Sequence, residues 1–220
     1  MTEAEWLTAT DPTAMLEFLK GKASDRKLRL FACACCRVVM WESFTHERSR
    51  RAVEVAERYA DGLEDDATLE RAHSMAYDAL ASYQHQHHYR RMVNRDGLTR
   101  IEWRLHLAAE SAHLHRPFLV GRLGALRHDP DSTVVAPALV RDVFGVSPAT
   151  PLPLDPRWQT ETVVALATGI YADRAFDRMP ILADALEEAG CDHTDILNHC
   201  RGDGPHVRGC WVLDLVLGKE

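Results

Sequence analysis

Apolar side chains return at steps of three and four residues along most of this chain, and nothing else in it limits the fold as strongly. Leu28, Phe31, Cys35, Val38 and Val39 make one such stripe. A strand would alternate at every second residue, so this spacing predicts helix. Val53, Ala56 and Ala60 form a second stripe, in a helix from about Thr45 that stops at Gly62. Leu69, Ala72, Ala76, Leu80 and Tyr83 form a third, opened by Asp66 or Thr68. Ile101, Leu105, Ala109 and Ala112 form a fourth, capped by Thr99 and ended before Pro117. The turn Asn94-Arg95-Asp96-Gly97 makes the last two an antiparallel helical hairpin. Upstream, Thr10-Asp11-Pro12 supplies a cap and an early proline for a short helix through Met15, Leu16 and Leu19, with Gly21 at its end and Ser24 or Asp25 capping the next.

From His128 to Pro156 prolines crowd the chain, leaving room for one short helix near Pro137–Phe144. Beyond it the spacing predicts helices over Trp158–Tyr171, Pro180–Ala189, Thr194–Cys200 and about His206–Leu217. The expected architecture is all-α: a helical bundle over residues 1–146, a stiff Pro-rich linker over 147–156 and a small C-terminal helical subdomain over 157–220.

Apolar residues at 46% and charged residues at 27% place the chain among globular proteins rather than disordered ones. The apolar stretches are too short to cross a bilayer, and the first residues, Met-Thr-Glu-Ala-Glu-Trp, are acidic where a secretory signal would be basic, so a cytoplasmic protein without a membrane partner is expected. In that compartment the six cysteines are thiols or metal ligands rather than disulfides. A net charge of −7 repels a polyanion at long range and disfavours general nucleic-acid binding.

The run from Thr10 to Arg37, TDPTAMLEFLKGKASDRKLRLFACACCR, resembles the start of a large uncharacterised planctomycete protein family. The runs LADALEEAGC (Leu182–Cys191) and GPHVRGCWVLDLVLG (Gly204–Gly218) are similar to that family's ending. The resemblance spans roughly residues 1–62 and 137–220, implies a bacterial source, and transfers no catalytic residue.

Two groups of residues have the chemistry to hold a metal. On the central hairpin, Glu102, His106, Glu110 and His113 share one helix face, and both Glu110-x-x-His113 and Glu70-x-x-His73 have the spacing used by di-iron carboxylate bundles. A turn centred near Asp96 leaves His73 and His113 offset by about 9 Å along the axis but brings His87 and His88 level with His106. The expected site there is a local one of His87 or His88, His106, Glu110 and His113, against the alternative of a solvated histidine-rich face. Near the C-terminus, Cys191, His193, His199, Cys200, His206 and Cys210 crowd into twenty residues, around the Gly-Pro loop Arg201–Pro205. Cys191, His199, Cys200, His206 and Cys210 are candidate ligands for zinc or iron. The alternative makes Cys200 and Cys210 small core residues and lets His206 cap the last helix.

Cys33-x-x-Cys36 sits in mid-helix, without the helix start that activates a thioredoxin-like thiol, so packing is its expected role. Between residues 85 and 128 eight arginines face three acids. Arg90, Arg91, Arg95, Arg100 and Arg104, with Tyr89 and Trp103 to stack on bases, form a candidate single-strand nucleic-acid surface, against the alternative of a solvated helix face. There is no Gly-x-Ser-x-Gly elbow, phosphate loop or dinucleotide fingerprint. The expectation is a helical interaction module that binds a protein partner or itself. The alternatives are a metal-dependent helical enzyme or metal sensor, and a nucleic-acid binder.

Overall fold

The computed structural model describes residues 1–44, 46–86, 130–146, 152 and 154–219. It is all-α, with no strand among the described residues. Ten α-helices occur in them: α1 (Glu3–Thr8), α2 (Pro12–Leu19), α3 (Asp25–Cys35), α4 (Glu47–Ala60), α5 (Asp66–Gln86), α6 (Pro130–Phe144), α7 (Glu161–Asp173), α8 (Met179–Glu188), α9 (Thr194–Arg201) and α10 (Trp211–Leu217). None is long and apolar enough to cross a membrane.

The chain divides into two compact units, one of residues 10–137 and the other of residues 1–9 with 138–220. The expected 147–156 linker falls mostly on 147–151 and 153, outside the described residues. The second half of the central hairpin lies outside them as well.

In the unit of residues 10–137 the caps act as their sequences direct. Asp11 Oδ1 accepts from the Thr13 N–H at 2.8 Å ahead of Pro12, and Ser24 Oγ accepts from the Lys27 N–H at 3.2 Å. At α5 the side chain serving the first turn is Asp65 rather than the expected Asp66 or Thr68: its Oδ1 accepts from the Thr68 N–H at 2.8 Å. Helix α3 packs on α4 and α4 on α5, burying Leu28, Phe31, Val53, Ala56, Leu69 and Ala76 between them. Each large apolar side chain taken from water in this way stabilises the fold by about 1.5–3 kcal/mol. After Cys35 the helix loosens into a π turn over Cys36–Met40 and then a 3₁₀ turn over Trp41–Ser43, a departure that no stripe in the sequence marks. Cys33, Cys35 and Cys36 are all buried, and burial pushes the Cys35 and Cys36 thiols well above their ordinary range.

In the other unit, α7 packs on α8 and α10, and α9 packs on α8 and α10. Val163, Ile170, Leu182, Leu186, Ile196 and Leu213 share their core with Trp158 and Trp211. Helix α1 opens with a capping box: Glu5 N–H donates to Thr2 Oγ1 and Thr2 N–H donates to Glu5 Oε2. Three helix starts differ from expectation by three residues or more, the first being α7, which begins at Glu161 behind a Thr160 cap and leaves Trp158 in a separate 3₁₀ turn over Pro156–Trp158. Helix α6 starts at Pro130 and carries Pro137 inside it, rather than starting near Pro137. Helix α10 starts at Trp211 and not at His206, because Gly209 takes a φ of +89° that no right-handed helix accommodates.

Candidate metal centre

The last turn of α6 presents Leu139, Val140 and Val143 to the interior, and Asp142 goes in with them. A carboxylate on an apolar face needs partners, and Asp142 finds them far along the chain. Helix α9 buries Ile196, Leu197 and Cys200 and carries His199 on a partly covered face. After Gly202 the chain turns back through Gly204-Pro205, bringing His206 and then Cys210 alongside, with Cys210 as the residue that precedes α10.

Four donors from these elements converge: an Asp142 carboxylate oxygen, a nitrogen each of His199 and His206, and Cys210 Sγ, all within 4.8 Å of one another. Asp142 Oδ1 lies 3.1 Å from His199 Nε2 and 3.0 Å from His206 Nδ1. Its other oxygen, Oδ2, accepts from the Val207 N–H at 3.0 Å. His199 Nε2 is also 3.2 Å from Cys210 Sγ. The two imidazoles meet edge to face with centroids 4.8 Å apart, and the Trp211 ring covers His199 at 5.3 Å. His206 Nε2 is buried without a hydrogen-bond partner among the described residues.

Burial alone would push the Asp142 carboxyl up, but the hydrogen bonds and charges of His199 and His206 hold it below the usual range. Burial first, and the Asp142 carboxylate second, push the Cys210 thiol well above its ordinary value, opposed by the N–H groups of Leu213 and Val212. The Cys–His–Asp set is not laid out for nucleophilic catalysis. A catalytic triad turns one imidazole nitrogen to the nucleophile and the other to the carboxylate, whereas here His199 turns Nε2 to both.

The four donors could hold a four-coordinate metal. Bonds of about 2.0–2.1 Å to nitrogen or oxygen and about 2.3 Å to the one sulfur set donor–donor edges of roughly 3.3–3.6 Å, so the pairs at 3.0, 3.1 and 3.2 Å would spread by a few tenths of an ångström around an ion. One thiolate, one carboxylate and two neutral imidazoles carry two negative charges, which neutralise a divalent ion in a buried place.

Of the C-terminal candidates, the structure gathers His199, His206 and Cys210 and leaves Cys191 and Cys200 outside the donor set. Both are buried thiols pushed up by burial, Cys200 to about 12. His206 does not cap α10, since it lies four residues before the capping position and faces Asp142. Asp142 was not among the sequence candidates. Its signal was a lone acid on the stripe Leu139, Asp142, Val143 and Val146. The central candidates His87, His88, His106, Glu110 and His113, and the arginines Arg90, Arg91, Arg95, Arg100 and Arg104, lie outside the described residues.

Fold and site together define an all-α protein with a partly buried Asp–His–His–Cys donor cluster. No protein-family model, curated protein or solved structure matches the chain.

Proposed function

We propose that this is a helical metal-binding protein that takes zinc at Asp142, His199, His206 and Cys210, where the ion fastens the end of α6 to α9 and to the loop between α9 and α10. The convergence of the four donors within 4.8 Å carries this reading. Hydrogen bonding accounts for the imidazoles around Asp142, but it supplies no reason for a sulfur beside an imidazole nitrogen already turned to a carboxylate. A divalent ion supplies one, because it holds the thiol as a thiolate against the burial that otherwise keeps it protonated. Four protein ligands leave no open position for substrate or water, so the ion has a structural or sensing role and not a catalytic one.

Elemental analysis of the full chain, purified without chelator, tests the proposal. About one equivalent of zinc per chain is expected. Less than about a tenth of an equivalent, in protein that stays below that level after exposure to zinc and buffer exchange, would refute it.

A further inference from the structure

The turn of α6 that supplies Asp142 also holds the N-terminal segment. Arg141, the residue before the ligand, donates from Nη2 to the Trp6 carbonyl at 3.0 Å and to the Ala9 carbonyl. Gly145, three residues after it, accepts from Trp6 Nε1 at 2.9 Å, and Trp6 is fully buried. On its other side Gly145 lies against Trp211: a Cβ built there would stand 3.4 Å from the indole. Trp211 follows Cys210 and covers His199. One short stretch, Arg141 to Gly145, therefore carries a metal ligand, two residues that hold the 1–9 segment and the contact with the residue beside the thiolate ligand.

We infer that metal occupancy controls whether residues 1–9 stay docked, making the N-terminal segment a strap that closes on the metal-bound form and is released from the metal-free one. This rests on the metal reading above. A cation that binds only when α6 and the α9–α10 loop are in register favours that register by mass action. The strap's hydrogen bonds need the same placement of Arg141 and Gly145, so the two events are linked, and linkage is reciprocal. Zinc protects the strap, and the strap tightens zinc binding, although no atom of residues 1–9 belongs to the donor set.

The experiment uses the full chain, with amide hydrogen exchange measured with one equivalent of zinc and after chelation, alongside zinc affinities of the wild type and Arg141→Met by competition with a chelating dye. Zinc removal is expected to speed exchange in residues 1–9 by about tenfold or more while α7 and α8 stay protected, and Arg141→Met to weaken zinc binding by about fivefold or more. Stoichiometric zinc with unchanged exchange in residues 1–9 would overturn the strap and leave the metal reading intact. Equal loss of protection across α7 and α8 would also overturn it, since that is unfolding of the whole unit. Absence of zinc binding would defeat the metal reading first, and the strap with it.

Discussion

The Nε2 of His199 lies 3.2 Å from the Sγ of Cys210, eleven residues further along the chain. A buried thiol next to an imidazole gains little unless both serve a common ion, so truncating the sulfur should remove the metal's benefit and not merely a packing contact. Zinc at a hundredfold excess over its dissociation constant adds about 2.7 kcal/mol to a fold that binds one ion. Thermal unfolding with and without zinc should show that gain in the wild type and show little of it in Cys210→Ala. Equal gains in both proteins would exclude Cys210 as a ligand.

Arg37 grips Glu57 through two hydrogen bonds, Nε to Oε1 at 3.2 Å and Nη2 to Oε2 at 2.9 Å, and stacks over Trp41 at 3.7 Å. The Glu57 side chain is only 2% exposed, so removing the Arg37 guanidinium takes two hydrogen bonds and a counter-charge from a buried carboxylate. Arg37→Ala should cost about 3 kcal/mol in urea unfolding, and Glu57→Gln less, because that change removes the charge rather than weakening its pairing. Equal, small losses in both would show that the pair is solvated.

Gly145 holds a φ of +83° and faces the Trp211 ring. An L side chain there is strained by its own backbone before any contact is counted, so Gly145→Ala should lower stability by about 1–2 kcal/mol. Denaturant unfolding measures this directly, and a neutral substitution would contradict the backbone geometry.

The Cys35 thiol is fully buried and titrates well above its ordinary 9.0. The folded chain therefore holds its proton where the unfolded chain releases it. The stability this confers is present below the unfolded thiol's value of about 9 and is lost as pH rises above it toward the raised folded value. The limiting slope is about 1.4 kcal/mol per pH unit for each such thiol. Unfolding measured under reducing conditions from about pH 8 to 10.5 should steepen for the wild type, and the slope for Cys35→Ala should be shallower by about one thiol's share. Identical slopes would place Cys35 in water.

Local signals in the sequence mark the starts of α2 and α3, since a capping Asp or Ser and the residues it serves lie within three positions of each other. Thr2-x-x-Glu5 is such a signal too, and it marks α1, which the stripe-based reading passes over because so short a helix shows no periodicity. Pro130 marks the start of α6, and its claim is obscured by the second proline at 137. The site was legible only in part. His199, His206 and Cys210 sit within twelve residues and attract notice as a cluster, whereas Asp142 lies 64 residues from His206 and no spacing rule reaches that far. Cys191 and Cys200 share the core with Cys210 but lie outside the donor set, and only the packing of the helices separates them. The π turn after Cys35 is also a tertiary outcome.

Cobalt(II) in place of zinc tests the metal centre most directly, because its spectrum reports both geometry and sulfur ligation. The wild-type chain titrated with cobalt(II) should saturate at about one equivalent, with intense tetrahedral visible bands and a near-ultraviolet thiolate-to-metal band. Cys210→Ser should lose the thiolate band, and Asp142→Ala should bind more weakly or with altered visible bands. A wild-type spectrum no different from that of cobalt in buffer would contradict the account, as would a thiolate band that survives in Cys210→Ser.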